Sequence, residues 1–154
     1  MAQPKNQFID LNNTRFEDQR AQMEKILAAG HCPFCPENLE LYHTDPILKQ
    51  GKFWFLTPNH WPYENTKVHL LAIATSHVEK LSDLPAGAGD ELMELFSWAI
   101  NEYKIPGGAF AMRFGDTRYS AGTVQHLHAQ FIIPDVDKSD FQPVRFKIGS
   151  NPPS

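Results

Sequence analysis

The sequence predicts a single α+β domain, an antiparallel sheet packed against one long helix with smaller helices at its periphery. Two patterns carry that expectation. From about residue 89 or 90 to residue 103, Leu92, Leu95, Phe96, Ala99 and Ile100 recur at helical spacing. Over residues 124–133, Val124, His126, His128, Gln130 and Ile132 alternate with Leu127, Ala129, Phe131 and Ile133, the period of two of a strand with one apolar and one nitrogen-rich face. The 154 residues are 42% hydrophobic and 21% charged, ordinary values for one globular core, and no repeat or low-complexity run divides them. The expected layout is a helical extension over about residues 1–30, a core over 31–149 and a tail over 150–154.

Taken in order, Thr14 followed by Glu17 has the capping-box spacing for a first helix, with Phe16, Met23, Ile26 and Leu27 as its stripe and Gly30 as its stop. Residues 39–43 read as a short strand. Gly51 reads as a turn, and the aromatic-rich 52–57 as part of a hairpin. Residues 58–65 hold too much proline for a strand, whereas 67–74 are apolar on both faces, as a covered strand must be, with His69 interrupting them. Ser76 is placed to cap a short helical turn carrying His77. On the long helix, Glu91, Glu94 and Glu102 form a solvated face. Pro106-Gly107-Gly108 breaks that helix, residues 109–114 form a strand paired with the histidine strand, and 143–149 alternate as a last strand before a fraying tail.

A net charge of -4 argues against a general nucleic-acid binder, so any phosphate site must be locally basic. The first seven residues lack the apolar run of a signal peptide and no apolar segment is long enough to span a bilayer, so a cytoplasmic protein with no membrane partner is expected. In a reducing compartment the only two cysteines, Cys32 and Cys35, leave three readings open: a metal site, plain reduced thiols, or redox chemistry. Redox chemistry wants the first cysteine after a strand and at a helix N-terminus, whereas here a helix precedes it. Residues 113–123 make a loop of glycines, hydroxyls and arginine able to wrap a phosphate beside His128.

His126-x-His128-x-Gln130 after that loop, with Cys32-x-x-Cys35 near the N-terminus and His77 between them, resembles the histidine triad (HIT) superfamily over residues 32–134. The glutamine ending is similar to the nucleotidyl-transferring branches, the diadenosine polyphosphate phosphorylases and hexose-phosphate uridylyltransferases, rather than to the hydrolases that end in a third histidine. The resemblance implies a HIT-like fold, often a homodimer through the long helix and a strand. It implies a structural zinc ion on Cys32, Cys35, His77 and His126, with His31 and His43 as nearby spare imidazoles, and a buried extra histidine at His69. Asn59 would bond ribose hydroxyls, with Phe53, Phe55 or Trp61 as the wall of a base pocket. His128 would be the nucleophile that forms a nucleotidyl-histidine.

Ser120, Gly122 and Thr123 would then stabilise charge on the phosphate, as would Arg118 if the loop folds inward; Arg118 reads equally as a surface arginine. Gln130 can hydrogen-bond phosphate oxygens but cannot act as a general acid near neutrality, which favours phosphoanhydrides, with their good leaving groups, over substrates that release an amine. Two departures weaken a hexose-phosphate reading: Leu127 stands where the uridylyltransferases have proline, and the loop lacks the Asn-x-Gly often found before the phosphate site. The expected function is a nucleotidyl transferase or hydrolase acting on dinucleoside polyphosphates or nucleoside phosphoanhydrides. The alternative is a zinc-stabilised nucleotide-binding module without turnover.

Overall fold

Residues 8–152 are described by a computed structural model of the chain, so the expectations for the first seven residues and for fraying at residues 153 and 154 fall outside them. Five strands, β1 (Lys49–Gln50), β2 (Trp54–Pro58), β3 (Thr66–Ala74), β4 (Ala109–Met112) and β5 (His128–Pro134), form one antiparallel sheet in the order β1-β2-β3-β5-β4. Among the described residues four α-helices accompany it: α1 (Glu17–Ala29), α2 (Pro36–Tyr42), α3 (Ala88–Glu102) and the single turn α4 (Thr117–Ser120). Among the described residues no helix is long and apolar enough to cross a membrane.

The alternation of β5 divides the sheet into two working faces. Leu127, Ala129, Phe131 and Ile133 join Trp54, Leu56, Leu70 and Ala72 under the α3 stripe of Leu92, Leu95, Phe96 and Ala99. Phe96 stacks on Phe131 with centroids 4.8 Å apart, and the Trp54 indole N–H donates to the Ala88 carbonyl at 2.8 Å. Each large side chain buried here contributes roughly 1.5–3 kcal/mol, so this layer dominates stability. On the opposite face the register sets His128 beside Ile73 and Gln130 beside Leu71, with Phe55 and Thr57 next in line on β2. That face carries the nitrogen-bearing side chains.

Several local expectations are corrected. Helix α1 begins at Glu17 with Phe16 as its cap: the Thr14 hydroxyl donates back to the Leu11 carbonyl, and Gln19 instead accepts the Arg15 N–H at 2.8 Å. Gly30 does end it, in the left-handed conformation at φ 76°. Residues 39–42 lie on helix α2 and His43 is its C-cap; Pro36 starts the helix at its first position, where a missing N–H costs nothing, and the spacing of Leu39, Leu41 and His43 mimicked a strand. Ser76 and His77 sit in an irregular turn, and the next helical turn is a 3-10 turn at Leu81–Asp83. β5 starts only at His128, because residues 124–127 bond outward: Gln125 N–H to the Phe8 carbonyl and Leu127 N–H to the Val78 carbonyl.

Residues 143–149 are extended but unpaired with any strand, and the Lys147 carbonyl is taken by the Arg113 guanidinium at 2.7 Å. Alternation alone therefore does not make a strand without a neighbouring edge to bond. Ser150, in the expected frayed tail, is tied down through its hydroxyl to the Thr117 carbonyl at 2.6 Å.

The strand expected over residues 109–114 ends at Met112, and Glu91 is a further correction. Its carboxylate turns inward from α3 and accepts the backbone N–H groups of Lys52, Phe53 and Trp54 at 2.6, 2.7 and 2.9 Å, bracing the turn that leads into β2. Gly51 is required there, since a Cβ would lie 2.7 Å from that carboxylate and 2.8 Å from the Trp54 carbonyl oxygen. Hydrogen bonds to a charged group contribute more than neutral ones, so Glu91→Ala should cost about 1–3 kcal/mol. Glu94→Ala, on the exposed side of the same helix, should change stability by less than about 0.5 kcal/mol. Urea denaturation of both variants compares them; equal losses would contradict the brace.

Candidate active site and metal centre

His128 opens β5, where its Nδ1 meets the backbone oxygen of His126 at 2.7 Å. A carbonyl only accepts, so Nδ1 carries the proton and the lone pair lies on Nε2. The ring packs edge-on against Phe34, centroids 5.2 Å apart. Burial, aided by the nearby Arg113 charge and opposed by the His126 bond, holds His128 well below an ordinary histidine, at about 4. At neutral pH it is a neutral imidazole with an available nitrogen.

Gln130 lies two residues on, on the same face. His69, buried on the neighbouring β3, receives the Tyr63 N–H on Nδ1 at 3.0 Å, so its proton is on Nε2 and is donated to Gln130 Oε1 at 2.5 Å. The Gln130 amide is thereby oriented with its oxygen bound and its NH2 group directed away from His69. Burial pushes His69 down to about 4, against the opposing Gln130 hydrogen bond. Asn59 Oδ1 accepts the Trp61 N–H at 2.9 Å, while its amide nitrogen faces the protonated His69 Nε2 at 3.3 Å, donor against donor. That NH2 group is free to turn to a ligand.

His128, Gln130, Asn59, Trp61 and Thr123 line one cleft, and Ser120, Gly122 and His128 border a smaller one beside it. Phe53 and Phe55 line neither: Phe53 packs on the α3 layer and Phe55 with Leu71 and Ile73. The Gly122 N–H is already held by Ser120 Oγ at 3.1 Å, and the Thr123 hydroxyl donates to the Asn13 carbonyl at 3.0 Å. Arg118 is not brought in. Asp116 caps α4 and draws the Arg118 guanidinium into an exposed ion pair at 2.6 Å, away from both clefts.

Sequence reasoning passed over Arg15 and Arg113, which border these clefts with His128. The signal for Arg113 was parity: Met112 pairs with Ala129, so one step on, Arg113 falls opposite His128. Arg15 left no such signal, since it comes from the segment before α1 and reaches the cleft only through tertiary packing.

Cys32, Cys35, His77 and His126 converge, with their potential ligand atoms all within 4.8 Å of one another. Cys32 Sγ is 3.4 Å from His126 Nδ1, Cys35 Sγ is 3.4 Å from His77 Nδ1 and 3.8 Å from His126 Nδ1, and the two Nδ1 atoms are 3.2 Å apart. Bond lengths of a tetrahedral Cys2His2 zinc imply edges of about 3.3 Å between nitrogens and about 3.5 Å between nitrogen and sulfur, so the donor set fits that ion. The far nitrogens are held as well: His126 Nε2 donates to the Ala74 carbonyl at 2.7 Å, and His77 Nε2 meets Glu79 Oε1 at 3.2 Å. Burial raises the Cys32 thiol, and burial with the neighbouring Cys32 pushes Cys35 up to about 12, the opposite of a redox-active thiolate. His31 and His43 point elsewhere, to Tyr42 and Thr57.

Comparison with solved structures gives the fold. A histidine triad nucleotide-binding protein from Candida albicans superposes over 80% of this chain and 85% of its own with a TM-score of 0.57 and 16% identity. A zinc-bound histidine triad family protein from Mycobacterium smegmatis matches over 75% of this chain and 82% of its own (TM-score 0.53, 19% identity), and a HIT family hydrolase from Clostridium thermocellum over 73% and 95% (0.52, 19%). The fold is that of the histidine triad superfamily. In sequence, an uncharacterized protein of Archaeoglobus fulgidus is 28% identical over 120 residues; these are 71% of this chain and 35% of that protein, so the chain spans about a third of the relative it matches. No protein-family model matches the sequence.

His69, His126 and His128 are all held near 4, below their value in an unfolded chain, in each case first by burial. Above about pH 6.5 they are neutral folded and unfolded alike and cost nothing. As pH falls from there toward 4, the unfolded chain takes up protons that the folded one does not, so stability should drop across that window, by on the order of 1–3 kcal/mol for His69 alone. Denaturation midpoints between pH 7.5 and 4.5 measure the slope, which His69→Asn should make shallower; an unchanged slope would show that His69 titrates normally.

Proposed function

We propose that the protein is a nucleotidyl transferase or hydrolase that acts on dinucleoside polyphosphates or nucleoside phosphoanhydrides through His128. The observation that carries this reading is the His128 ring itself, neutral, with Nδ1 committed to the His126 carbonyl and Nε2 facing a cleft. In the first step the Nε2 lone pair attacks phosphorus, the P–O bond to the departing phosphate breaks, and that oxygen keeps the electron pair. In the second, an oxygen of water or of a phosphate acceptor attacks the same phosphorus and the N–P bond breaks, returning the lone pair to Nε2; when water is the acceptor its proton passes to solvent. The Nδ1–H bond steadies the ring while positive charge develops on it. The Gln130 NH2 group, oriented by His69, and the Asn59 NH2 group are donors for phosphate and ribose oxygens, and Trp61 and Phe34 offer flat apolar walls for a base.

The ligand set Cys32, Cys35, His77 and His126 would hold zinc, which would supply structural cross-linking rather than reaction chemistry, since all four tetrahedral positions are taken. One equivalent per chain is expected in untagged protein by metal analysis, and Cys32→Ser or chelation should lower thermal stability sharply. Stoichiometric absence of metal in stable protein would overturn the assignment.

Incubation with a diadenosine polyphosphate followed by intact-mass measurement tests the chemistry. A nucleotidyl adduct should form on the native protein. His128→Ala should abolish adduct and turnover while nucleotide binding stays within a few-fold, because it removes the nucleophile and few ground-state contacts. Retained turnover in that variant would place the reaction elsewhere.

Gln130 restricts the leaving group. The native protein should cleave anhydrides and scarcely touch nucleoside phosphoramidates, whose amine must depart protonated, and Gln130→His should raise phosphoramidate cleavage by up to ~100-fold. Single-turnover rates on matched substrates decide this, and equal native rates on the two would remove glutamine from the account.

A further inference from the structure

Beside the His128 cleft lies a larger cavity, about 430 Å³, that the proposed chemistry does not yet use. Arg15, Arg113, Arg145 and Lys147 line it, and Glu64 is the only carboxylate in its lining. Among the described residues none of the four cations has a carboxylate in an ion pair, although the chain as a whole is acidic at -4. Their neutral bonds are incomplete as well. Arg113 donates to the Tyr63 hydroxyl at 2.6 Å and the Lys147 carbonyl at 2.7 Å, with its guanidinium 3.9 Å above the Phe146 ring, yet its buried Nε has no partner. Arg15 donates to the Trp61 carbonyl at 2.6 Å and lies 4.4 Å over the Tyr63 ring. Partial desolvation lowers the proton affinity of Arg15, opposed by Tyr63 and aided by the Arg113 charge. Clustered like charges repel one another, and a built pocket that leaves them unneutralised is suited to an anion.

The cavity shares part of its wall with the reaction site. Arg15 and Tyr63 belong to the walls of both this cavity and the His128 cleft, and Arg113 borders His128 from the other side. Resting on the nucleotidyl-transfer reading, we infer that this basic cavity is the oxyanion subsite for the phosphate group that leaves, and for the one that attacks, opposite His128. In-line displacement requires both to occupy one place: the departing phosphate lies across phosphorus from Nε2, and the acceptor must attack the nucleotidyl-histidine from that same side. A single subsite of cations therefore serves a polyphosphate tail on its way out and a phosphate on its way in. Arg145 and Lys147 come from the extended segment over residues 143–149, whose alternation turns them to the cavity while Val144 and Phe146 are partly buried.

Inorganic tripolyphosphate is the probe, because it carries the charge of the group and no base or ribose. Titration calorimetry on the His128→Ala protein measures its binding without chemistry, so failure of the catalytic reading leaves this test intact. Binding should be salt-sensitive, and R145Q/K147Q, two exposed side chains whose loss does not threaten folding, should weaken it roughly tenfold or more. K67Q/K138Q makes the same change in net charge at exposed positions outside the cavity and should leave the affinity within about twofold. Inorganic phosphate should displace the bound tripolyphosphate, since the acceptor uses the same subsite, and tripolyphosphate binding that excess phosphate leaves unchanged would overturn the shared subsite. No binding of tripolyphosphate, or an equal loss in both double variants, would overturn it.

Discussion

The carbonyl of His126 accepts the Nδ1 proton of His128, and the same residue's ring stands in the Cys32, Cys35 and His77 cluster with its far nitrogen on the Ala74 carbonyl. One residue thus ties the end of β3, the Cys-x-x-Cys turn and the first residue of β5 to a single point. The rest of the site depends on this, because of residues 124–127 only Leu127 is bonded to β3 through its backbone, its carbonyl accepting the Ala74 N–H at 3.1 Å. A cross-linking metal on the cluster would act through the same joint, holding the carbonyl that fixes the His128 tautomer.

Stability and chemistry are separated by the pleat of β5. The face toward α3 is continuous hydrocarbon and holds the largest buried cluster of the core. The opposite face buries three imidazoles, each driven toward its neutral form, which is the form a nucleophile or a metal ligand must have. Desolvation there is unfavourable for folding in mild acid and useful for reactivity at neutral pH. His69 extends the logic one step outward, since the Tyr63 backbone N–H sets its tautomer and that tautomer sets the orientation of the Gln130 amide.

The basic cavity changes how the segments outside the sheet are understood. The stretch before α1 supplies Arg15, and the extended segment near the C-terminal end supplies Arg145 and Lys147; both close over Tyr63 and Arg113 rather than adding secondary structure. Asn13 fastens them together, through hydrogen bonds to the Gly122 carbonyl and the Ser150 hydroxyl at 3.0 Å each. These segments therefore shape the basic cavity, a role that a search for strands and helices in the sequence does not reveal.

Short-range pattern determined the long helix, the faces of β3 and β5, the Gly30 stop and the pairing of residues 109–112 with the histidine strand, because each follows from periodicity or from the backbone freedom of one residue. The Cys-x-x-Cys spacing singled out Cys32 and Cys35, and the family resemblance added His77 and His126; the fold gathers all four into one cluster. What the sequence could not decide were the places where a polar group chooses among distant partners. Glu91 had equal reason to face water until the turn before β2 offered three N–H groups, and Arg118 could have reached a phosphate had Asp116 not stood two residues away at the cap of α4. Residues 143–149 alternate as a strand does but found no free edge, and Arg15 and Arg113 became neighbours only when both packed on Tyr63. Periodicity is a property of consecutive residues and is written in the chain; the assembly of charges from separate segments exists only after the chain has folded.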